Sequence, residues 1–323
     1  MRLPIRILLA ASFVGLSAYA VLALQRDDAT PTPALRFTSS KDCAECHADV
    51  YAEWHGTHHQ ISFLNPEVRS QSEDFRNREC QICHLPQPVF VTGVGMRTML
   101  RETRPDEGVD CLTCHQDKDG SILGRNSIPD APCRPRANTD FIGMDLCASC
   151  HNQHQTTDQW RASKYPALGI TCNTCHMPTV ERKLANGTRP GFHHGFKGAH
   201  DTEMLKRAAT YDVRREGDEI VAVVTNTGAG HNFPTEERHR AVDVLVRFVG
   251  ETTPDEFTRA WRFRQPYRNE PGENTQLPAG ATKEVRVPIP PGSIRAEVRF
   301  VYKLTPQTKD ADGTLLEERV LTL

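Results

Sequence analysis

The alternation of apolar and polar positions divides the chain into three stretches. From residue 7 to 24 there is no charged side chain for 18 residues, and Arg2 and Arg6 precede the run. That is close to the ~20 residues needed to span a bilayer. It is longer than the roughly 7–15-residue apolar core of a cleavable signal. The segment therefore predicts a retained anchor with its positive flank in the cytoplasm and the rest exported. The small-residue triplet Ala18-Tyr19-Ala20 keeps cleavage, and a soluble or secreted product, as the alternative. Residues 25–34, with Pro31 and Pro33, read as a linker. In the last stretch, β-branched runs at 221–224, 242–249, 284–289, 296–304 and 319–323 are separated by turn clusters such as Asn226-Thr227-Gly228-Ala229-Gly230 and Pro290-Pro291-Gly292. Short strands at this spacing predict an antiparallel sandwich of immunoglobulin-like size over residues 205–323. Between these ends, residues 35–204 hold every cysteine of the chain.

The spacing of those cysteines changes the picture most. Cys-x-x-Cys-His occurs five times, as Cys43-Cys46-His47, Cys80-Cys83-His84, Cys111-Cys114-His115, Cys147-Cys150-His151 and Cys172-Cys175-His176. It is the signature of c-type haem attachment. Two thiols three residues apart share a helical face and can form thioethers with the two haem vinyl groups, and the following histidine then sits beneath the iron. Zinc ribbons use Cys-x-x-Cys in twos and need no adjoining histidine. Disulfides, the usual fate of cysteine in exported chains, would leave five histidines unexplained. The motifs therefore predict five covalently attached haem c groups. Cys133 stands outside them and reads as an inert thiol, with a thiolate ligand as the lesser alternative.

Composition agrees. Of 323 residues only 38% are hydrophobic and 7% aromatic, thin for a chain of this length unless cofactors replace part of the core. A formal charge of −2 gives no basic field for nucleic acid. Arg76, Arg78, Arg97, Arg101, Arg104, Arg134 and Arg136 crowd the haem segments, where guanidinium groups can pair with propionates.

Fourteen histidines exceed the five proximal ones, and an electron-transfer haem usually takes a second protein ligand, most simply histidine. His55, His58 and His59 have the spacing of one helical face, and His193, His194 and His200 form a second cluster. His58, His59, His154, His194, His200 and His231 are the distal candidates. His231 lies in Gly230-His231-Asn232-Phe233-Pro234 and reads equally as a ligand for the last haem or as a loop residue bonded to backbone. His239, between Arg238 and Arg240, reads as a surface residue. Met96, Met99 and Met177 are weaker axial candidates. The motifs also repeat. Gly108-Val109-Asp110-Cys111-Leu112-Thr113-Cys114-His115 echoes Gly169-Ile170-Thr171-Cys172-Asn173-Thr174-Cys175-His176, and Trp54 to His59 echoes Trp160 to Tyr165.

Over about residues 40–204 these features resemble multihaem cytochromes of the hydroxylamine oxidoreductase and cytochrome c-554 type. The resemblance rests on the tryptophan segment after Cys-x-x-Cys-His, the Gly-Val/Ile-x-Cys lead-in, Cys-His-Met-Pro, and His194-x-Phe196-x-Gly198-x-His200. It implies mostly bis-histidine haems and matches His59 to a distal ligand. Tyr165 departs from the pattern, so its haem recruits another histidine, uses the tyrosine, or stays open. The Cys-x-x-Cys-Lys of pentahaem nitrite reductases is missing from the sequence.

The expected fold is α + β in two domains: a mostly helical and irregular pentahaem cytochrome c domain, residues 35–204, and an all-β immunoglobulin-like sandwich. The expected function is periplasmic electron transfer in a respiratory chain. The donor or acceptor would be a redox protein or a membrane quinol dehydrogenase, with residues 7–24 holding the chain to the inner membrane. The alternative is an oxidoreductase acting on a small nitrogen or sulfur compound at one open haem. A structural role resting on the sandwich is the third reading, and it leaves the haems idle.

Overall fold

The computed structural model describes residues 37–323 except 144, 185–186, 236–239, 252, 255 and 268–269. The apolar segment 7–24, the linker 25–34 and His239 lie outside the described residues. Among the described residues no helix is long and apolar enough to cross a membrane.

The first half is a string of short helices: α1 (Ser40–Ala44), α2 (Ala48–Trp54), α3 (Pro66–Gln71), α4 (Arg78–His84), α5 (Val89–Thr92), α6 (Cys111–His115), α7 (Asp145–His151), α8 (Thr156–Arg161), α9 (Cys172–His176) and α10 (Thr202–Arg207). All are far shorter than the ~12–15 residues at which an isolated helix becomes even marginal in water, so tertiary contacts and caps must hold them. Asp110 shows how a cap works here: its carboxylate accepts from Thr113 N at 2.7 Å, while the Thr113 hydroxyl accepts from Asp110 N at 3.2 Å. Asn65 and Asn77 cap α3 and α4 with a single bond, each side-chain oxygen accepting from the backbone N–H two residues on. Two short strands, β1 (Leu123–Gly124) and β2 (Arg136–Ala137), pair in parallel, and β3 (Thr179–Leu184) and β4 (Gly187–Phe192) form a hairpin.

The second half is a sandwich. Strands β5 (Thr210–Glu216), β6 (Glu219–Thr225) and β9 (Thr282–Pro288) make one sheet. The other runs β11 (Thr314–Thr322), β10 (Ser293–Lys303), β7 (Ala241–Gly250), β8 (Thr258–Phe263), with every pairing in both sheets antiparallel. The fold is thus α + β with a β-sandwich tail, as the sequence predicts. Strands β5 and β8 were not among the runs expected, because charges such as Arg214, Arg215, Arg259 and Arg262 interrupt their apolar alternation.

Burial divides just as sharply. Ile220, Val224, Val242, Val244, Val298 and Phe300 are sealed between the two sheets, each contributing about 1.5–3 kcal/mol of burial. In the helical half the fully buried apolar residues are Trp54, Phe75, Leu85, Val89, Leu112, Leu123 and Ala148. That is too little apolar mass to order some 170 residues by itself. Helix α10 straddles the expected boundary at residue 205, and Leu205 already packs in the sandwich core.

Candidate haem sites

Each motif is held in helical geometry where its chemistry requires it. The second to fifth lie wholly or mainly within α4, α6, α7 and α9. In the first, α1 covers Cys43, and the turn continues so that His47 N donates to Cys43 O at 2.9 Å. Three of the five motif histidines are oriented by backbone carbonyls. His84 Nδ1 lies 2.9 Å from Ser62 O, His115 Nδ1 2.9 Å from Leu123 O, and His176 Nδ1 2.5 Å from Lys197 O. A carbonyl only accepts, so each Nδ1 carries the proton and each Nε2 carries the lone pair, which is the tautomer a metal ligand needs.

Two of the distal candidates show the same arrangement. His194 Nδ1 donates to Phe192 O at 2.9 Å, and His231 Nδ1 donates to Asn232 O at 2.9 Å. More telling is how the rings face one another. The centroids of His59 and His151 lie 6.0 Å apart, those of His115 and His194 6.4 Å, and those of His176 and His231 6.2 Å. Two imidazoles on opposite sides of one iron, each bonded at about 2 Å, have centroids about 6 Å apart. Three motifs therefore already hold a pair of histidines at the separation a bis-histidine haem demands, and the residues fit the group. Burial pushes His59 down to about 3, and burial with the neighbouring His115 pushes His194 down to about 4. Both are neutral at physiological pH, the form that ligates.

The remaining candidates are placed differently. His58 and His200 stack face to face at 3.7 Å, too close for an iron to lie between them. His154 is half-buried in the turn after α7. His193 accepts from Gly195 N at 2.9 Å and turns its Nε2 towards Glu53 at 3.7 Å. The helix expected to carry His55, His58 and His59 on one face ends at Trp54, which corrects that expectation. His55 is already extended, Gly56 has φ +82°, and Thr57 Oγ1 caps the Trp54 carbonyl at 2.7 Å. His58 and His59 consequently face different partners. Met96 and Met99 are largely exposed, and Met177 caps α9.

Sulfur positions give the order of the motifs in space. Cys43 and Cys111 lie within hydrogen-bond reach of each other, as do Cys83 and Cys150, and Cys147 and Cys172. Cys114 is near enough to both Cys147 and Cys150 to raise them. These proximities place the first motif beside the third, the third beside the fourth, and the second and fifth each beside the fourth. Cys133 sits by Cys43 and Cys46, and burial raises its thiol above the usual range.

Several expected propionate partners are engaged within the protein. Arg101 and Arg104 converge on the buried Asp110 at 2.8 and 3.0 Å. Arg76 pairs with Glu73, Arg97 with Glu79, and Arg136 with Asp117. The orienting groups that sequence reasoning missed are mostly carbonyls, those of Ser62, Leu123, Phe192, Lys197 and Asn232, and a carbonyl leaves no mark in a sequence.

At the seam between the halves, the loop carrying His231 is held from both sides. Asn226, fully buried, donates to His231 O at 2.8 Å and to Leu277 O at 2.9 Å. From α8, Gln159 Oε1 accepts from Asn232 N at 3.2 Å and from Thr235 Oγ1 at 2.7 Å. The Tyr165 hydroxyl donates to Thr227 O at 3.1 Å. The ring centroids of His151 and His176 each lie about 6 Å from a second histidine, at 6.0 and 6.2 Å.

Comparison with known proteins bears on the fold. Residues 42–116 match the profile of the family described as cytochrome c554 and c-prime. No curated protein matches the sequence. Among solved structures, a penta-heme cytochrome c552 from Thermochromatium tepidum superposes with a TM-score of 0.65 at 20% identity, over 88% of this chain and 99% of its own. A superoxide reductase from Nanoarchaeum equitans aligns with 37% of this chain and 94% of its own at 13% identity, and its TM-score of 0.19 carries no structural argument.

Proposed function

We propose that this multihaem c-type cytochrome binds five haems, one at each Cys-x-x-Cys-His motif, and serves as an electron conduit. The observation that carries the reading is the facing of histidine rings at 6.0, 6.4 and 6.2 Å across the fourth, third and fifth motifs. An iron held on both sides by imidazole has no open position for substrate, which suits electron transfer rather than catalysis. The penta-heme composition of the structural neighbour supports the count. Bound haem would supply reversible one-electron chemistry. The chain's own residues fix the imidazoles through the Nδ1–carbonyl bonds, bring successive motifs together, and seal the last one with the sandwich loop.

The path from the first motif to the fifth suggests entry at one end and exit at the other. In this reading residues 7–24 tether the chain to the inner membrane with its haems in the periplasm. A quinol dehydrogenase or periplasmic redox protein is the partner. Protein-film voltammetry tests the reading. The account expects a reversible envelope worth five electrons that is unchanged by added nitrite or hydroxylamine. A catalytic wave with either compound would instead support the oxidoreductase alternative.

A further inference from the structure

We infer that Glu53 and Arg182 are positioning residues for His194 and set the reduction potential of the haem held between His115 and His194. The inference rests on the ligand reading above and extends it to residues outside the haem motifs. Glu53 projects from α2, and Arg182 lies on β3. The two meet in a forked pair, with Arg182 Nη1 donating to Oε1 at 2.7 Å and Nη2 to Oε2. Both side chains are largely shielded, 17% and 13% exposed, so the pair is screened less than a surface bridge.

What the pair grips is the backbone of the ligand itself. His194 N donates to Glu53 Oε2 at 3.0 Å. The Phe192 carbonyl accepts from His194 Nδ1 at 2.9 Å and also from Arg182 Nη2 at 2.6 Å. Two consequences follow. The strand end at 192–194 is tied to α2, so the imidazole cannot turn away from His115. In addition, a cationic donor on the Phe192 carbonyl weakens its hold on the Nδ1 proton, which leaves the imidazole less imidazolate-like and a poorer donor to iron. Less donation favours the reduced iron, as does the nearby positive charge, while the Glu53 carboxylate opposes both.

Signs therefore separate this role from a merely structural one. Arg182→Gln keeps a neutral donor but removes the charge, and is expected to lower the midpoint of one haem. Glu53→Gln is expected to raise the midpoint of the same haem. Each change should be about tenfold in the reduction equilibrium, about 59 mV for one electron, with the haem still low-spin. A structural role would move both variants the same way, towards a high-spin, detached haem. The experiment is a redox titration of the full-length holoprotein followed by low-temperature electron paramagnetic resonance, with three further variants. His194→Ala identifies the haem by converting it to high-spin. Arg182→Ala covers the case in which the glutamine variant rebinds the carbonyl, and is expected to shift the same haem. Arg247→Gln breaks the Arg247–Glu297 ion pair of the sandwich and should lower stability while leaving every midpoint unchanged. If His194→Ala leaves the spectrum intact, the ligand reading fails and this inference with it. If His194→Ala gives high-spin haem but the Arg182 and Glu53 variants shift no midpoint, or shift it in the same direction, the inference alone is overturned.

Discussion

The two halves of the haem region repeat one scaffold and end it differently. In the first, Trp54 Nε1 donates to Val109 O at 2.9 Å, Thr57 Oγ1 caps the Trp54 carbonyl, and Val109 N donates to His59 O at 2.9 Å. In the second, Trp160 Nε1 donates to Ile170 O at 3.0 Å, Ser163 Oγ caps the Trp160 carbonyl, and Ile170 N donates to Tyr165 O at 3.1 Å. The tryptophan bond spans 55 residues in the first module and 10 in the second, because the first carries the second haem motif as an insertion. At matched positions, His59 reaches forward to the fourth motif, whereas Tyr165 reaches forward to the Thr227 carbonyl of the sandwich. In the proposed reading a histidine passes the chain of haems to the next module, and where no further module follows a tyrosine docks the domain whose His231 would close the last haem.

The largest way to break this comparison is to give the first module the ending of the second. His59→Tyr is expected to leave the fourth motif's haem with one protein ligand, seen as a high-spin fraction of about one haem in five. An unchanged low-spin spectrum would mean that another residue holds that iron. Next come the glycines that precede the third and fifth motifs. A Cβ at Gly108 (φ +47°) would lie 2.4 Å from Gln60 O and 2.5 Å from His59 O, whereas at Gly169 (φ +68°) nothing lies within 4 Å. Gly108→Ala should cost about 3 kcal/mol in thermal unfolding and perturb the same haem as His59→Tyr. Gly169→Ala should cost only about 1–2 kcal/mol of left-handed strain, and equal costs would remove the asymmetry. The smallest effect is expected from Tyr165→Phe. It loses one hydrogen bond, about 1 kcal/mol of stability, with no change of spin state. A new high-spin signal there would make Tyr165 an iron ligand after all.

Much of this was legible in the sequence, and the parts that were not have physical causes. Covalent attachment needs a fixed local spacing, so Cys-x-x-Cys-His declares itself, and so does the β-branched alternation of β6, β7 and β10. The repeat was visible too, because the capping threonines Thr113 and Thr174 and the indoles Trp54 and Trp160 are side chains with stereotyped partners. Distal ligation is a contact between distant segments, and spacing alone could not tell His59 from His58 once Gly56 had ended the helix. His231 read equally as a ligand or a loop residue, since nothing local says which haem a loop of the sandwich will meet. Glu53 and Arg182 gave no signal, because their part depends on one backbone carbonyl that both Arg182 and His194 share.

In the proposed reading the sandwich completes the haem chain through His231. The most direct test is low-temperature electron paramagnetic resonance on the oxidised full-length protein and its His231→Ala variant, each integrated against total haem. The account predicts that the variant gains a high-spin signal equal to one haem in five, with the other haems unchanged. A variant spectrum identical to that of the parent protein would contradict it and leave the sandwich outside the electron path.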